Sequence, residues 1–231
     1  MLSVIIPVFN EAAHIQSTIH RLLSDNNLKQ VIEIIVVDGG STDGTTAIAK
    51  NAGALIAQSA KGRAAQMNAG AVIAKGDLLY FLHADTKPPA NYLSYINVAL
   101  QQGYELGCFR LSFDVDHWFL RANTWFTRFN INSFRFGDQS LFVKKVLFNK
   151  AGGFNEELIV LEDQDFIKRL INIGRFTVMP ASVTTSARKY TTNGIYKTQA
   201  VYFLIYMLYR VGVSQERLVN LYKKLIRQDK L

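Results

Sequence analysis

A chain of 231 residues that is 49% hydrophobic and 19% charged can bury the core of one domain, and this balance excludes a disordered or fibrous protein. The single cysteine, Cys108, excludes an internal disulfide framework. No apolar run reaches the roughly 18–20 residues that span a bilayer, and the first residues lack the pattern of a signal peptide, so we expect a cytoplasmic protein.

The net charge of +8 is distributed unevenly along the chain. Residues 186–231 contain nine Lys or Arg and two acidic residues, a net charge of +7, so residues 1–185 carry only +1. A basic tail on a nearly neutral body argues against nucleic acid as the partner. It indicates an anionic surface that the C-terminus meets, such as the inner face of the cell membrane, or else a solvated helical face.

Short apolar runs alternate with helical patterns in the first part of the chain. Helices are predicted after Glu11, over residues 45–52 and over residues 61–76. Strands that alternate with helices in this way predict right-handed βαβ units and a parallel sheet that is covered on both faces. The predicted strands are "LSVIIPVF", "VIEIIVVD", "ALIAQS" and "DLLYFLHAD".

The second part of the chain is less regular. The alternation in "CFRLSFDVD" is typical of a half-exposed strand, "QSLFVKK" predicts another strand, and "EDQDFIKRLINIG" predicts a helix that Gly174 ends. The aromatic-rich segment 118–129 is interpreted as core or helix packing, with an acceptor groove as the alternative. We therefore predict one mixed α/β domain over residues 1–185.

Residues 186–231 are predicted to form a basic, apolar helical extension of that domain. Within it, residues 200–213 are too short to span a bilayer and too apolar for an ordinary exposed helix. They are expected to pack on the domain, to form a homodimer contact, or to lie in a membrane interface beside the basic residues that follow them.

Three carboxylates, those of Glu11, Asp38 and Asp85, each follow an apolar strand. Ligands of open α/β sheets lie beyond the carboxyl ends of the strands, and unpaired buried carboxylates are costly. A nucleoside would offer donors to Asp38, and a diphosphate would bring Mg²⁺ or Mn²⁺ to Asp85. The structural alternative for Asp38 is a helix cap. The segment "DGGSTDGT" matches neither a Walker loop nor a dinucleotide fingerprint.

Six segments of the chain occur in the order seen in family 2 glycosyltransferases, which the chain resembles over residues 1–185. The resemblance implies the GT-A fold, a Rossmann-like nucleotide-diphospho-sugar transferase domain with a mixed sheet flanked by helices. Within the family, the chain is similar to small stand-alone members, some linked to arsenosugar biosynthesis and others to lipid-like acceptors. The segments that carry the resemblance are "SVIIPVFNE", "IIVVDGGSTDGT", "KGRAAQMNAGA", "FLHADT", "GGF" and "LEDQDF".

The resemblance implies a nucleotide-binding role for five residues. Pro7, Val8 and Glu11 would line the nucleoside pocket. Asp38 would accept hydrogen bonds from the base or ribose, and Arg63 would pair with the phosphates. A further expectation, based only on chain position, is that Arg188, Lys189 and Tyr190 close over the diphosphate from a mobile segment.

The resemblance also implies the metal and catalytic residues. Asp85 matches the last position of the family's Asp-x-Asp metal motif, and His83 replaces the first aspartate, so His83 is either a metal ligand or a structural histidine. Asp163 would be the catalytic base, and Glu162 would bind or orient the acceptor. The structural alternative for both acids is a stabilising position in the first turn of a helix.

The implied function is an inverting glycosyltransferase that uses a divalent cation, Mg²⁺ or Mn²⁺. It would move a sugar from a nucleotide-diphospho-sugar, with a UDP-sugar as the prior expectation, to an unidentified acceptor hydroxyl. A nucleotidyltransferase and a non-catalytic sugar-nucleotide sensor are the alternatives. The segment "PVFNEAAH" lacks the Gly-rich, basic loop of the former, and intact Asp85 and Asp163 argue against the latter.

Overall fold

The structure is a computed structural model that describes residues 1–24, 32–131, 135 and 137–227. Its strands are β1 (Leu2–Val8), β2 (Ile32–Asp38), β3 (Leu55–Gln58), β4 (Leu78–Phe81), β5 (Thr86–Lys87), β6 (Leu106–Phe113), β7 (Leu141–Lys144) and β8 (Phe176–Thr185). Its helices are α1 (Ile15–Leu23), α2 (Thr45–Asn51), α3 (Arg63–Ile73), α4 (Tyr92–Gln101), α5 (Trp118–Trp125), α6 (Lys145–Lys150), α7 (Glu162–Ile171), α8 (Arg188–Asn193), α9 (Ile195–Arg210) and α10 (Gln215–Leu225).

The strands form one mixed sheet in the order β3-β2-β1-β4-β7-β6-β8-β5. The first four strands of that order are parallel to one another, as the alternation of strands and helices predicted. Strand β7 then runs antiparallel to both β4 and β6, and β6 and β8 are parallel to each other. All seven residues of β1 are buried, as a central strand covered on both faces requires.

Helices cover the two faces of the sheet and divide the core into two clusters. On one face, α1 and α4 bury apolar side chains such as Ile19 and Ile96. On the other face, α3 and α7 bury residues such as Met67 and Phe166. Helix α3 lies so close to the sheet at Gly70 that a Cβ there would be 2.5 Å from Ile5 Cγ2. Glycine therefore permits this approach, which brings the beginning of α3 to the strand ends.

Strand β6 differs from the half-exposed strand that its alternation predicted. Residues 106–109 are all buried, because β6 lies inside the sheet between β7 and β8 and both of its faces are covered. The strand becomes partly exposed only from Arg110 onward. The sequence patterns also did not predict α4, α6, β5 or β8.

The aromatic segment 118–129 is largely exposed, so its interpretation as core is wrong for most of its rings. Trp118 is 61% exposed and Trp125 is 46% exposed, and Phe126 and Phe129 are also exposed. Helix α5 has one buried residue, Leu120, which packs with Ala187 and Tyr190. Because α5 is short, a single buried position anchors it and its aromatic side chains face solvent.

The C-terminal helices α9 and α10 pack against each other and on the domain. Val201 and Ile205 of α9 form a cluster with Leu218 and Tyr222 of α10, and Val160 packs against this cluster. Packing on the domain, one of the expectations for residues 200–213, is therefore observed. No helix in the described ranges is long and apolar enough to cross a membrane. The division of the chain at residue 185 stays a prediction.

Candidate functional site

The turn that follows β1 is bound to the turn that follows β2. The Asn10 backbone N–H donates to Ser41 Oγ at 2.9 Å, and the Thr42 N–H donates to Asn10 Oδ1 at 2.9 Å. The Glu11 N–H donates to Thr45 Oγ1 at 2.8 Å. These bonds hold Glu11 at the rim where the first two strands end, as the strand-end pattern predicted.

Asp38 lies at the carboxyl end of β2 and is only 2% exposed. Its two carboxylate oxygens accept from the Ser41 N–H at 3.0 and 3.1 Å, so it caps the turn rather than helix α2. The N–H of Thr45, the first residue of α2, donates instead to Asp43. Pro7 and Val8 are buried in β1, and Val8 is paired in register with Asp38. The nucleotide role of these residues stays a prediction.

Gln66 of α3 joins the ends of the first two strands and is a residue that the sequence patterns did not single out. Its buried amide donates to the carbonyls of Val8 at 2.7 Å and Val37 at 2.8 Å. Two residues further along, Asn68 forms a reciprocal pair with Phe154, in which each donates an N–H to the other's oxygen at 2.9 Å. Helix α3 thus fixes both the strand ends and the "GGF" loop.

Arg188, at the start of α8, lies between two of the predicted site carboxylates. Its Nη2 is 3.9 Å from Glu11 Oε1 and 3.9 Å from Asp85 Oδ2. The Ser186 N–H also donates to the Asp85 carbonyl at 3.2 Å. The structure therefore places Arg188 at the strand ends, in contact with the position of the predicted metal ligand.

Arg63 and Glu162 connect the beginning of α3 to the beginning of α7. Arg63 Nη1 is 3.7 Å from Glu162 Oε1, and the Glu162 side chain is almost fully buried while that of Arg63 is about half exposed. Burial alone would lower the pKa of Arg63, but the carboxylates around it, Glu162 first, raise that pKa. Arg63 is therefore a permanent cation on the exposed side of an acidic cluster.

His83 forms an ion pair with Asp138, a residue that the sequence analysis missed. Its Nδ1 is 2.8 Å from Asp138 Oδ1, and the ring is buried. Burial and Arg63 would lower the pKa of His83, but the bond to Asp138 and the charge of Asp163 raise it. With Nδ1 occupied, only Nε2 of His83 is left for another partner, and its metal role stays a prediction.

Asp163 lies beside the His83–Asp138 pair across Gly137. A Cβ added at Gly137 would clash with Asp163 Oδ2 and would be 3.0 Å from His83 Cε1, so only glycine fits between them. His83, Gly137 and Asp163 also line a cavity of about 10 Å³, close to the minimum volume for one water. The predicted base thus lies against a small cavity whose lining also includes the apolar side chains of Met67 and Phe81.

The acidic pair at the start of α7 has perturbed pKa values. Burial, and then the neighbouring charge of Asp163, raise the pKa of Glu162, while Arg63 opposes the shift. Burial also raises the pKa of Asp163, with His83 and Arg63 opposing it. Burial, and then Arg63, lower the pKa of Lys189 to about 8. Strongly shifted groups that cluster at strand ends are typical of a functional site.

The donor set fits a divalent cation that is shared with a phosphate ligand. The described residues contain no group of three or more His, Cys, Asp or Glu side chains that could enclose a metal by themselves. Mg²⁺, however, is usually bound through one or two carboxylates together with phosphate oxygens and water. Asp85 provides one such carboxylate. Its side chain is 23% exposed and lies at the end of the turn after β4.

Comparison with other sequences gives one family match over most of the chain. Residues 3–157 match the sequence model of the family described as Glycosyl transferase family 2. The undecaprenyl-phosphate 4-deoxy-4-formamido-L-arabinose transferase of Aeromonas hydrophila is 33% identical over 132 residues, which cover 53% of this chain and 40% of that protein. The chain spans half or less of the length of the curated relatives that it matches.

Two solved structures share the fold. The mannosyltransferase PcManGT from Pyrobaculum calidifontis, in complex with GDP-Man and Mn²⁺, has a TM-score of 0.68 at 17% identity, with 97% of this chain and 67% of that chain covered. S. aureus TarS 1-349 in complex with UDP has a TM-score of 0.66 at 17% identity, with 97% and 70% covered. These likenesses confirm the predicted GT-A fold with its mixed sheet and flanking helices.

Proposed function

Because this chain belongs to glycosyl transferase family 2, we propose that it transfers a sugar from a nucleotide-diphospho-sugar to an acceptor oxygen. The observation that carries the proposal is the arrangement of charge at the strand ends. Arg188 lies between Glu11 and Asp85, and next to them Arg63 lies against Glu162 and Asp163. The site would thus bring together cations that bind a diphosphate and a carboxylate, with a raised pKa, that takes a proton from an acceptor.

The donor would lie with its nucleoside near the turns after β1 and β2. Glu11 and Asp38 would face the nucleoside, and Arg63, Arg188 and Lys189 would face the diphosphate. Similar proteins have been solved with UDP and with GDP-Man, which supports a nucleoside-diphosphate donor of either base. A UDP-sugar is our first choice.

A divalent cation, Mg²⁺ or Mn²⁺, would be held by Asp85 and the diphosphate, with His83 as a less direct candidate. When bound, it would offset the negative charge of the diphosphate that leaves. The presence of Mn²⁺ with PcManGT supports this choice. Arg63 and Arg188 would contribute fixed positive charge to the same oxygens.

Asp163 would act as the general base in a single displacement. It would take the proton from an acceptor hydroxyl while that oxygen forms a bond to the anomeric carbon. The bond from that carbon to the diphosphate breaks with its electron pair leaving on the nucleoside diphosphate, and the anomeric centre is inverted. A raised pKa makes Asp163 a stronger proton acceptor than an ordinary aspartate. Glu162 would hold Arg63 and orient the acceptor.

The acceptor is proposed to be lipid-like, because the matched relative from Aeromonas hydrophila is named for undecaprenyl phosphate. A lipid hydroxyl needs a base, whereas a phosphate oxygen is already mostly ionised at neutral pH, since its second pKa is about 6. The buried acids around Asp163 would repel a phosphate. We therefore favour a hydroxyl.

For the whole protein we propose a catalytic domain over residues 1–185, placed in the cytoplasm at the inner face of the membrane.

Replacement of Asp163 tests the catalytic part of the proposal. Asp163→Asn keeps the size and removes the basicity, so we expect unchanged donor affinity and a turnover about 10²–10⁴-fold lower. The control is Asp165→Asn on the same helix, because Asp165 pairs with Arg169 at 2.9 Å. The control should lose only a few tenths of a kcal/mol of stability, as expected for an i, i+4 pair.

Turnover that stays near the wild-type rate in Asp163→Asn, with donor affinity intact, would contradict a hydroxyl acceptor activated by this residue. Mass spectrometry of the products from hydroxyl and phosphate acceptors would then identify the acceptor. A nucleotidyltransferase would instead release pyrophosphate from a nucleoside triphosphate. A non-catalytic sensor would bind the donor and transfer nothing.

The metal role of Asp85 is tested by donor binding. We expect Asp85→Ala to abolish the increase in nucleoside-diphosphate affinity that Mn²⁺ produces, as measured by calorimetry with UDP and GDP. The matched control is Asp77→Ala, since the Asp77 side chain is fully exposed and its cation partner is the chain terminus. An equal Mn²⁺ effect in wild type and Asp85→Ala would exclude Asp85 as the ligand.

A further inference from the structure

Helix α9 has two apolar faces, and only one of them is covered. Thr198, Val201 and Ile205 are its buried residues and face the cluster shared with α10. At 3.6 residues per turn, the exposed apolar residues fall within about 100° of arc on the opposite side of the helix. These residues, which we call the apolar stripe, are Tyr196, Ala200, Phe203, Leu204, Met207 and Val211.

The stripe is strongly exposed and continues onto α5. Phe203 is 62% exposed and Val211 is 74% exposed. At the other end of the stripe, the ring of Tyr196 lies 4.9 Å from that of Phe119, which in turn is 5.6 Å from the exposed ring of Trp118. An exposed apolar patch of this kind marks an interaction surface.

The charge around the stripe is basic. Lys197 and Arg210 fall on its two edges, and both are exposed. The rest of the extension is also basic, with exposed Lys223 and Lys224 near the end of α10, which packs on the covered face of α9. An apolar face bordered by Lys and Arg matches a helix that lies in the interface of an anionic membrane.

We propose that the apolar stripe of α9, together with Trp118 of α5, docks on an anionic lipid surface. The charge favours lipid over a second copy of the chain, because two copies of this face would bring two extensions of net charge +7 together. Lipid headgroups of phosphatidylglycerol supply the opposite charge. The docking rests on the membrane placement proposed above and gives it a surface, but it does not depend on glycosyl transfer.

The helical extension that carries the docked face is connected to the site at two places. Arg188, at the start of α8, contacts Glu11 and Asp85, and α9 begins seven residues later at Ile195. Gln215 of α10 accepts from the Val160 N–H at 3.1 Å, two residues before Glu162. With the proposed function, docking would hold the same molecule at the lipid surface that carries a lipid-linked acceptor.

Vesicle co-sedimentation tests the docking. Mixed phosphatidylglycerol–phosphatidylcholine vesicles are compared with phosphatidylcholine alone, at low and high ionic strength. We expect binding to the anionic vesicles, weakened by salt. The double variant Phe203→Glu with Met207→Glu should bind at least about tenfold more weakly, because burying each side chain in an apolar environment is favourable. Its melting temperature should not change, since both side chains are exposed.

The matched control is Val72→Glu with Val146→Glu, which adds the same charge at exposed apolar positions of α3 and α6. It should keep at least half of the wild-type affinity for the vesicles. Absence of binding at low salt, or an equal loss in both double variants, would overturn the proposal. So would a dimer in analytical ultracentrifugation that the stripe variant dissociates. The vesicle experiment contains no sugar donor or acceptor, so a failure of glycosyl transfer would leave the docking result unchanged. A failure of docking would likewise leave the proposed glycosyl transfer untouched.

Discussion

At the scale of single residues, the start of α7 combines two adjacent acids that burial disfavours. The Glu162 side chain is 4% exposed, and its nearest cation is Arg63 at 3.7 Å. Burial and the Asp163 charge raise the pKa of Glu162. A helix needs acids in its first turn only as weak dipole partners, for which exposed positions suffice. The burial of Glu162 beside a second acid therefore carries a cost in stability that a helix cap does not require.

That cost predicts a pH dependence of stability. Because the pKa of Glu162 is raised in the folded protein, its contribution to stability is fully present below the ordinary glutamate pKa of about 4.5 and is lost as the pH rises through the raised value. We expect the melting temperature to fall between about pH 5 and about pH 8, and to fall less in Glu162→Gln. Thermal unfolding over this range measures both slopes.

The control for this experiment is Glu157→Gln, because Glu157 is exposed. Its slope should match that of the wild type, because the substitution changes only a solvent-exposed side chain. A Glu162→Gln protein whose melting temperature follows pH as the wild type does would show that burial of Glu162 carries no cost in stability.

Sequence motifs located the predicted site residues but not the partners that surround them. Glu11 and Asp85 follow apolar strands, so the strand-end rule placed them on one rim, and the structure joins both to Arg188. Asp138 follows no such pattern. It is 55 residues from His83 in the chain and belongs to a short 3₁₀ turn. The tertiary pairing of β7 with β4 helps to bring the two side chains together.

At the scale of elements, helix α10 holds the segment that leads into α7. The Gln215 side-chain oxygen accepts from the Ile159 and Val160 N–H groups, both at 3.1 Å. The next residue, Leu161, has a φ of +64°, in the left-handed region that non-glycine residues rarely adopt. Gln215 thus fixes a short, strained connection immediately before the predicted catalytic acids.

Removing the Gln215 side chain should therefore loosen the acids while leaving the donor site unchanged. We expect Gln215→Ala to lose about 1–2 kcal/mol of stability, to increase hydrogen exchange over residues 156–161, and to lower turnover without changing donor affinity. Gln215→Glu keeps an acceptor for both N–H groups and should retain most of the turnover. Equal turnover in wild type and Gln215→Ala would mean that the acids are positioned without α10.

Periodicity predicted the elements whose surroundings are uniform. The strands β1 and β2 are covered on both faces, so their continuous apolar runs were interpreted correctly. In β6 the alternation was misleading, because polar positions such as Arg110 occur only where the strand leaves the sheet interior. The two apolar faces of α9 could not be assigned from sequence, since only packing against α10 distinguishes the buried one.

At the scale of the whole molecule, the predicted boundary at residue 185 falls inside a packed segment. The Ala187 N–H donates to Asp114 Oδ1 at 2.7 Å, and the ring of Tyr190 lies 5.1 Å from that of Phe113. Arg188 between them contacts Glu11 and Asp85. The first helix of the extension therefore completes the rim of the site, while α9 and α10 form the outer layer.

Two truncated chains separate these contributions. A chain of residues 1–194 keeps Arg188 and the Tyr190 contact, whereas a chain of residues 1–185 loses both. We expect the longer chain to bind a nucleoside diphosphate with Mn²⁺ nearly as tightly as the full chain. The shorter one should bind at least tenfold more weakly, because a charge-assisted contact is worth about 1.5–3 kcal/mol. Calorimetry with UDP and GDP measures the affinities.

Both truncated chains should melt at lower temperature than the full chain, since removing α9 and α10 exposes Val160 and, in the longer chain, Tyr190. Circular dichroism therefore has to show that each is folded. Arg188→Ala in the full chain is the matched control, and it should reproduce the affinity loss of the shorter chain without its loss of stability. If residues 1–185 bind as tightly as the full chain, the extension has no part in the donor site and Arg188 pairs with Glu11 and Asp85 for stability alone.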